Sequence, residues 1–273
     1  MTGDFSKFFL SHRGKLVDKW SSYLPIYDRI LEEYKSSPIN LLEIGIQNGG
    51  SLEVWSQYFP FAKTIVGCDI DEKCKELVFG DPRIKFIAGD ANSDNVFERI
   101  SSVTREYDII IDDGSHNSKD IISSFIHYFP ILANDGIYIV EDLHASYWSY
   151  YAGGLAKPES AIEFFKKLID VNNFEHWGMA KSKLDYLEGF FQTPLSPKFG
   201  SALDQIHEIS FVNSICEIRK KARETNRLGV RRVVGEEEPV TPGFKHLDGK
   251  ENTPQQQFEE KSLLQRLGNL LKK

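Results

Sequence analysis

Between residues 39 and 142 the apolar positions fall into short solid runs rather than helical stripes, and each run stops at an acid or a glycine. Asn40-Leu-Leu-Glu-Ile-Gly45, Thr64-Ile-Val-Gly-Cys-Asp69, Arg83-Ile-Lys-Phe-Ile-Ala-Gly-Asp90, Tyr107-Asp-Ile-Ile-Ile-Asp112 and Gly136-Ile-Tyr-Ile-Val-Glu-Asp142 read as buried strands. Between them lie segments with three- and four-residue spacing, among them Leu52 to Phe59 and Ser118 to Phe129, which read as helices. Strands without internal alternation are apolar on both faces, so they belong in a sheet covered by helices on each side. The alternation of such strands with helices predicts an α/β fold: Rossmann-like, doubly wound, mostly parallel and seven-stranded. Gln205 to Lys220 reads as two strands about Asn213-Ser214, an antiparallel hairpin closing the sheet.

Ahead of the sheet, Phe8, Phe9, Leu16, Trp20, Tyr23, Leu24, Tyr27, Ile30, Leu31 and Tyr34 recur at helical intervals, with Pro25 as a break. Residues 1–37 are therefore expected to form a helical, aromatic-rich N-terminal cap, and His12, Arg13 and Lys15 are its candidates for reaching a ligand. After the fifth strand, Ala161 to Val171 reads as an amphipathic helix and 173–192 as helical or mixed. The main domain runs over 38–222. Beyond it a basic run (Lys220, Lys221, Arg223, Arg227, Arg231, Arg232) leads into a linker at 223–257 rich in Pro, Gly and Gln. Leu263, Leu264, Leu267, Leu270 and Leu271 then make 258–273 an amphipathic C-terminal helix suited to docking on protein or peripherally on a membrane.

The 273 residues suffice for a sizeable core, and the formal net charge of -7 argues against a nucleic-acid binder. No window is apolar enough to cross a membrane and no secretory leader is evident, so the expected location is cytoplasmic, with the inner membrane face reachable through the terminal helix. Three cysteines, Cys68, Cys74 and Cys216, stand at no zinc-like spacing and read as reduced thiols.

Candidate chemistry gathers at the strand ends, where open α/β sheets bind ligands. Gly45, Gly49 and Gly50 permit a tight turn against a nucleotide-like cofactor, yet the spacing is neither the dinucleotide fingerprint nor a P-loop. Glu43 before that turn would repel pyrophosphate but suits a cationic methionine moiety. Asp69, at the second strand end, is the candidate for ribose hydroxyls, with Asp71 capping the next helix; Asp90, at the third, is the candidate for an adenine amino group. Gln47 and Asp112 join the candidate cofactor set. Asp113, Glu141 and Asp142 offer hard oxygens from neighbouring strand ends, a set that prefers Mg²⁺. His116 stands three residues past Asp113 as the candidate general base. His144 is its rival or a supporting partner, and Tyr147, Trp148, Tyr150 and Tyr151 could face a ring-shaped acceptor.

Asp112-Asp113-Gly-Ser-His116, Glu141-Asp142-Leu-His144, Ser146-Tyr-Trp148, Gly49-Gly-Ser-Leu52 and Trp55 together resemble the class I methyltransferases that modify sugars, namely the macrocin, mycinamicin and rhamnosyl O-methyltransferases, with the cephalosporin hydroxylase family more distant. The resemblance covers roughly residues 38–220. It implies S-adenosylmethionine (SAM) held by Glu43, Gly45, Ser51, Asp69, Asp90 and Ala91, Mg²⁺ on Asp113, Glu141 and Asp142, and His116 as base. It further implies a sugar hydroxyl of a glycan or glycosylated metabolite as acceptor, with His144, Tyr147 and Trp148 near it, a role in polysaccharide biosynthesis, and a homo-oligomeric assembly. The long N-terminal domain of the macrolide enzymes is absent, which leaves the acceptor open. A catechol-type O-methyltransferase acting on an aromatic diol and a non-catalytic SAM-binding scaffold are the alternatives; a hydroxylase ranks last, since no two-histidine, one-carboxylate set stands at the strand ends.

Overall fold

The structure, a computed structural model, describes residues 3–191 and 195–253. They fall into two units. The larger comprises residues up to 172 together with 183–226, and is built on a seven-stranded sheet in the order β3-β2-β1-β4-β5-β7-β6. Its strands are β1 (Asn40–Ile44), β2 (Thr64–Asp69), β3 (Ile84–Ala88), β4 (Tyr107–Asp112), β5 (Leu132–Val140), β6 (Ile206–Val212) and β7 (Ile215–Lys220). The first five are parallel. β7 runs antiparallel to β5 and pairs outward with β6, the hairpin that the sequence predicts, turning at Asn213 and Ser214.

Side chains alternate across the sheet with period two, so each solid apolar run feeds both faces. On one face Leu41, Ile65, Ile109, Ile111, Ile137 and Ile139 pack with α1 (Asp4–Ser11), α2 (Leu24–Leu31) and α3 (Gly50–Tyr58), which supply Phe5, Tyr27, Trp55 and Tyr58. On the other, Leu42, Val66, Ile110, Tyr138 and Val140 meet α4 (Asp94–Val103), α5 (Ser118–Tyr128) and α6 (Ala161–Asn172). Two short helices, α7 (Lys183–Leu187) and α8 (Pro197–Ala202), complete that layer. Each such side chain taken fully from water contributes about 1.5–3 kcal/mol, so the doubly covered sheet is the stiff frame on which the strand ends are set.

One sequence expectation changes here. The stretch predicted as helical from 5 to 35 is helical only at its ends; residues 12–20 form an irregular strap. Gly14 weakens the helical period, and Leu16 and Trp20, counted in the apolar stripe, are 64% and 58% exposed. Residues 173–182 belong with 227–253 in the smaller unit. There the Leu228 amide donates to Glu175 Oε1 at 2.8 Å, Phe174 and Trp177 stack edge to face, and Val230 bridges Glu251. The C-terminal helix expected at 258–273 lies outside the described residues. Among those described, no helix is long and apolar enough to cross a membrane.

Candidate active site

The cleft lies where the parallel sheet predicts it, over the carboxyl ends of β1, β2, β3, β4 and β5, with a cavity of about 790 Å³. The loop after β1 forms one wall. Gly45 has φ +83°, and a Cβ there would stand 2.1 Å from the Asp113 carbonyl, so the β1 and β4 loops can close together only over glycine. Gln47, His116, Asp142 and Ser214 also adopt left-handed backbone, an uncommon state for residues with a Cβ. These strained positions sit in the loops around the cleft, where such strain concentrates in functional sites.

Of the nine residues expected to hold the cofactor, Gly45, Gln47, Ser51, Asp69, Asp90, Ala91 and Asp112 line this cavity. Gly49 caps α3 just behind the lining, and Glu43 lies wholly buried beneath it. Asp69 also shapes the turn: Oδ2 accepts the Ile46 and Gln47 amides, each at 2.9 Å, and Oδ1 accepts that of Asp71. Asp71 caps the 3₁₀ turn that follows, as expected. Glu43 Oε2 accepts the Ser51 hydroxyl at 2.5 Å while Oε1 has no hydrogen-bond partner. Burial, chiefly, pushes the Glu43 carboxyl up to about 7, and does the same for Asp112.

Deeper in the cleft the acids converge. Asp113, His116 and Asp142 each present a ligand atom within 4.8 Å of the others, and His116 Nε2 is 3.5 Å from Asp142 Oδ2. Glu141 is fully buried beside them, its Oε1 accepting from the Tyr27 hydroxyl and the Lys19 ammonium. Burial, followed by the charge of Asp113, pushes Glu141 up to about 8 against the pull of Lys19. An oxygen-rich set with this excess of negative charge fits a hard divalent cation.

Lys19 is the residue that the sequence reading passed over. His12 and Lys15, the cap's candidates for reaching a ligand, turn onto Glu53 of α3: the Lys15 amide and ammonium bind its two oxygens at 2.8 and 2.6 Å, and His12 Nε2 lies 3.5 Å from it. Arg13 reaches only the backbone of its own segment. The cation at the acid cluster is Lys19, 2.7 Å from both Asp113 Oδ2 and Glu141 Oε1 and 3.8 Å from Glu43 Oε1. Burial on its own would depress this ammonium, but the three carboxylates outweigh it and raise the pKa well above its ordinary value. Trp20 Nε1 and the Tyr23 hydroxyl both donate to Asp142 Oδ1, at 3.0 and 2.6 Å. No local sequence signal marks this lysine, whose partners lie up to 122 residues further along the chain, at Glu141.

His144 sits at the rim, its Nδ1 2.5 Å from Ser214 Oγ and its ring against Trp20 and Trp148. Tyr147 and Trp148 are about half exposed outside the cavity lining, and Tyr150 is more exposed still. Tyr151 bridges the arc, its ring near both Trp148 and His116.

The chain is similar to several proteins of known activity. The demethylmacrocin O-methyltransferase of Streptomyces fradiae is 35% identical over 111 residues, 37% of this chain and 27% of its own length. Its curated relatives are sugar O-methyltransferases. The mycinamicin VI 2''-O-methyltransferase of Micromonospora griseorubida is 37% identical over 101 residues, and the L-olivosyl-oleandolide 3-O-methyltransferase of Streptomyces antibioticus 32% over 185, covering 62% of this chain and 47% of that enzyme. The MycE methyltransferase of the mycinamycin biosynthetic pathway, solved in complex with Mg, SAH and mycinamycin VI, superposes with a TM-score of 0.62 at 25% identity over 82% of this chain and 55% of that one. The chain thus spans about a quarter to half the length of the sugar O-methyltransferases it matches in sequence. No family model matches it.

Proposed function

We propose that the chain is a Mg²⁺-dependent O-methyltransferase that moves the methyl group of SAM to a sugar hydroxyl of a glycan or glycosylated metabolite. The observation that carries this reading is the convergence of Asp113, His116 and Asp142 in a cavity also lined by Gly45, Asp69 and Asp90. Two reactants held in one cleft with a base between them is the arrangement that methyl transfer requires, because orientation and deprotonation are what the protein must supply.

In this reading Asp69 accepts the ribose hydroxyls, Asp90 and Ala91 meet the adenine, and Glu43, Gly45, Gln47, Gly49, Ser51 and Asp112 enclose the methionine end. Asp113, Glu141 and Asp142 hold the magnesium, which when bound supplies a Lewis acid that lowers the pKa of an acceptor hydroxyl. His116 takes the hydroxyl proton at Nε2, and Asp142, 3.5 Å away, stabilises the imidazolium that results. His144, Tyr147 and Trp148 flank the acceptor, whose ring lies against their aromatic faces.

The test is transfer of a labelled methyl group from SAM to a panel of glycosides and simple catechols, with Mg²⁺ and with EDTA. Mg²⁺-dependent labelling of a glycoside, lost in an Asp113→Ala/Glu141→Ala variant, is the expected result. Labelling that persists in EDTA removes the metal from the reading, and absence of SAM binding removes the reading altogether.

A further inference from the structure

Lys19 is placed by construction from both sides. On one side the strap is fastened to α3: Lys15 holds Glu53 through amide and ammonium, and the Lys15 carbonyl lies where a Cβ on Gly50 would come within 2.2 Å. On the other, Trp20 and Tyr23 hydrogen-bond Asp142. The lysine between these anchors is 2% exposed in its side chain, and its ammonium meets acids from the ends of three adjacent strands: Glu43 of β1, Asp113 after β4 and Glu141 after β5. It engages one named oxygen of Asp113 and one of Glu141.

We propose that Lys19 is a positioning residue and the standing counter-ion of the acid cluster: it stays in place when a divalent cation binds, fixing Asp113 and Glu141 and limiting how tightly that cation is held. The inference rests on the metal reading above. Four acids surround this end of the cleft, Glu43, Asp113, Glu141 and Asp142, and without a cation their mutual repulsion favours protonation or displacement. The ammonium cancels one charge permanently and leaves an excess of negative charge on the side of Asp113 and Asp142, where His116 also points. Repulsion between the ammonium and a divalent ion bound to the same carboxylates follows from Coulomb's law at these distances, so the ion is held less tightly and exchanges more readily than four free acids would allow.

Calorimetric titration of the full chain with Mn²⁺ tests this in the wild type, Lys19→Gln and Lys19→Arg. Lys19→Gln is expected to bind Mn²⁺ at least about tenfold more tightly, and Lys19→Arg, which keeps the charge, within about threefold of wild type. A lysine that merely held the fold together would give the opposite sign, so unchanged or weaker binding in a Lys19→Gln protein that still melts cooperatively overturns the proposal. A second measurement uses the wild type alone: amide hydrogen exchange over 15–22 with and without Mg²⁺. Protection that is unchanged or higher with the metal is expected; loss of protection means that the metal expels Lys19, and overturns the proposal even if the variants fail to fold. Absence of Mn²⁺ binding by the wild type overturns this inference and the metal reading together, whereas binding that is insensitive to Lys19→Gln overturns this inference alone.

Discussion

Ser214 Oγ lies 2.5 Å from His144 Nδ1 and 2.8 Å from the Tyr23 hydroxyl, so a serine in the turn between β6 and β7 joins the rim of the cleft to the N-terminal segment. Its backbone is left-handed, φ +71°, a conformation that costs a residue with a Cβ roughly 1–2 kcal/mol. Serine at this position carries local strain, and its hydroxyl is the group that a glycine would lack. Ser214→Ala keeps the strain and loses both contacts; Ser214→Gly loses the contacts but relieves the strain. The alanine variant is therefore expected to be the less stable by about 1 kcal/mol in urea melts, with both variants equally impaired in any acceptor-dependent rate.

Glu43 gives a pH dependence with a definite sign. Its folded pKa, about 7, lies above the ordinary 4.5, so between those values the native state holds a proton that the unfolded state has released. The contribution of this group to stability is full below about 4.5 and declines as the pH rises toward 7, by up to about 3 kcal/mol at 1.36 kcal/mol per unit. Glu43→Gln removes the titration while keeping a partner for Ser51. The difference in unfolding free energy between wild type and variant, followed from pH 4.5 to 7 without metal or cofactor, is expected to shift in favour of the variant as the pH rises; a flat difference contradicts the assignment.

His116→Ala separates chemistry from binding. It removes the proposed base without touching the residues around Asp69 and Asp90, and loss of a general base costs roughly 10²–10⁴ in rate. Turnover is expected to fall into that range while SAM affinity, measured by calorimetry, stays at its wild-type value. Retained turnover would move the role of base to His144.

Gly50→Ala probes the strap. The added methyl would meet the Lys15 carbonyl at 2.2 Å and the Leu16 carbonyl at 2.4 Å, backbone atoms that cannot rotate away. Because Leu16, Val17, Asp18, Lys19 and Trp20 all line the cavity, lifting the strap opens one of its walls. Cofactor affinity is expected to drop about tenfold, an effect of about 1.4 kcal/mol, with the helical content seen by circular dichroism unchanged.

The legible part of this protein was whatever local pattern dictates. Ile109, Ile110 and Ile111 mark a strand covered on both faces, and the acids and glycines that end each run mark the sheet's ligand-binding edge, because a parallel sheet leaves its carboxyl ends free for loops. Asp69 and Asp90 fell into the cleft for that reason. Lys19 was not legible. Nothing within the strap announces that an ammonium will be buried against Glu43, Asp113 and Glu141; that follows from how the strap crosses the finished sheet, a contact between positions 94 residues apart in the case of Asp113. Counting Leu16 and Trp20 as a helical stripe also misled, since apolar residues at helical spacing can line a cavity as readily as a core.

The position of β7 has a bearing on how the chain is made. β5 pairs with β4 on one side, but its other edge is completed only by β7, whose residues Cys216, Glu217, Ile218 and Arg219 lie opposite Val140, Ile139, Tyr138 and Ile137. During synthesis the first five strands can assemble as soon as they emerge, yet the rim of β5 stays bare until residue 220 has also left the ribosome. In that interval the nascent chain carries an apolar strand edge open to any neighbouring chain, the kind of edge that finished proteins cover or charge. A chain released with β5 formed and β7 missing would therefore carry the strands of the cleft attached to an adhesive edge.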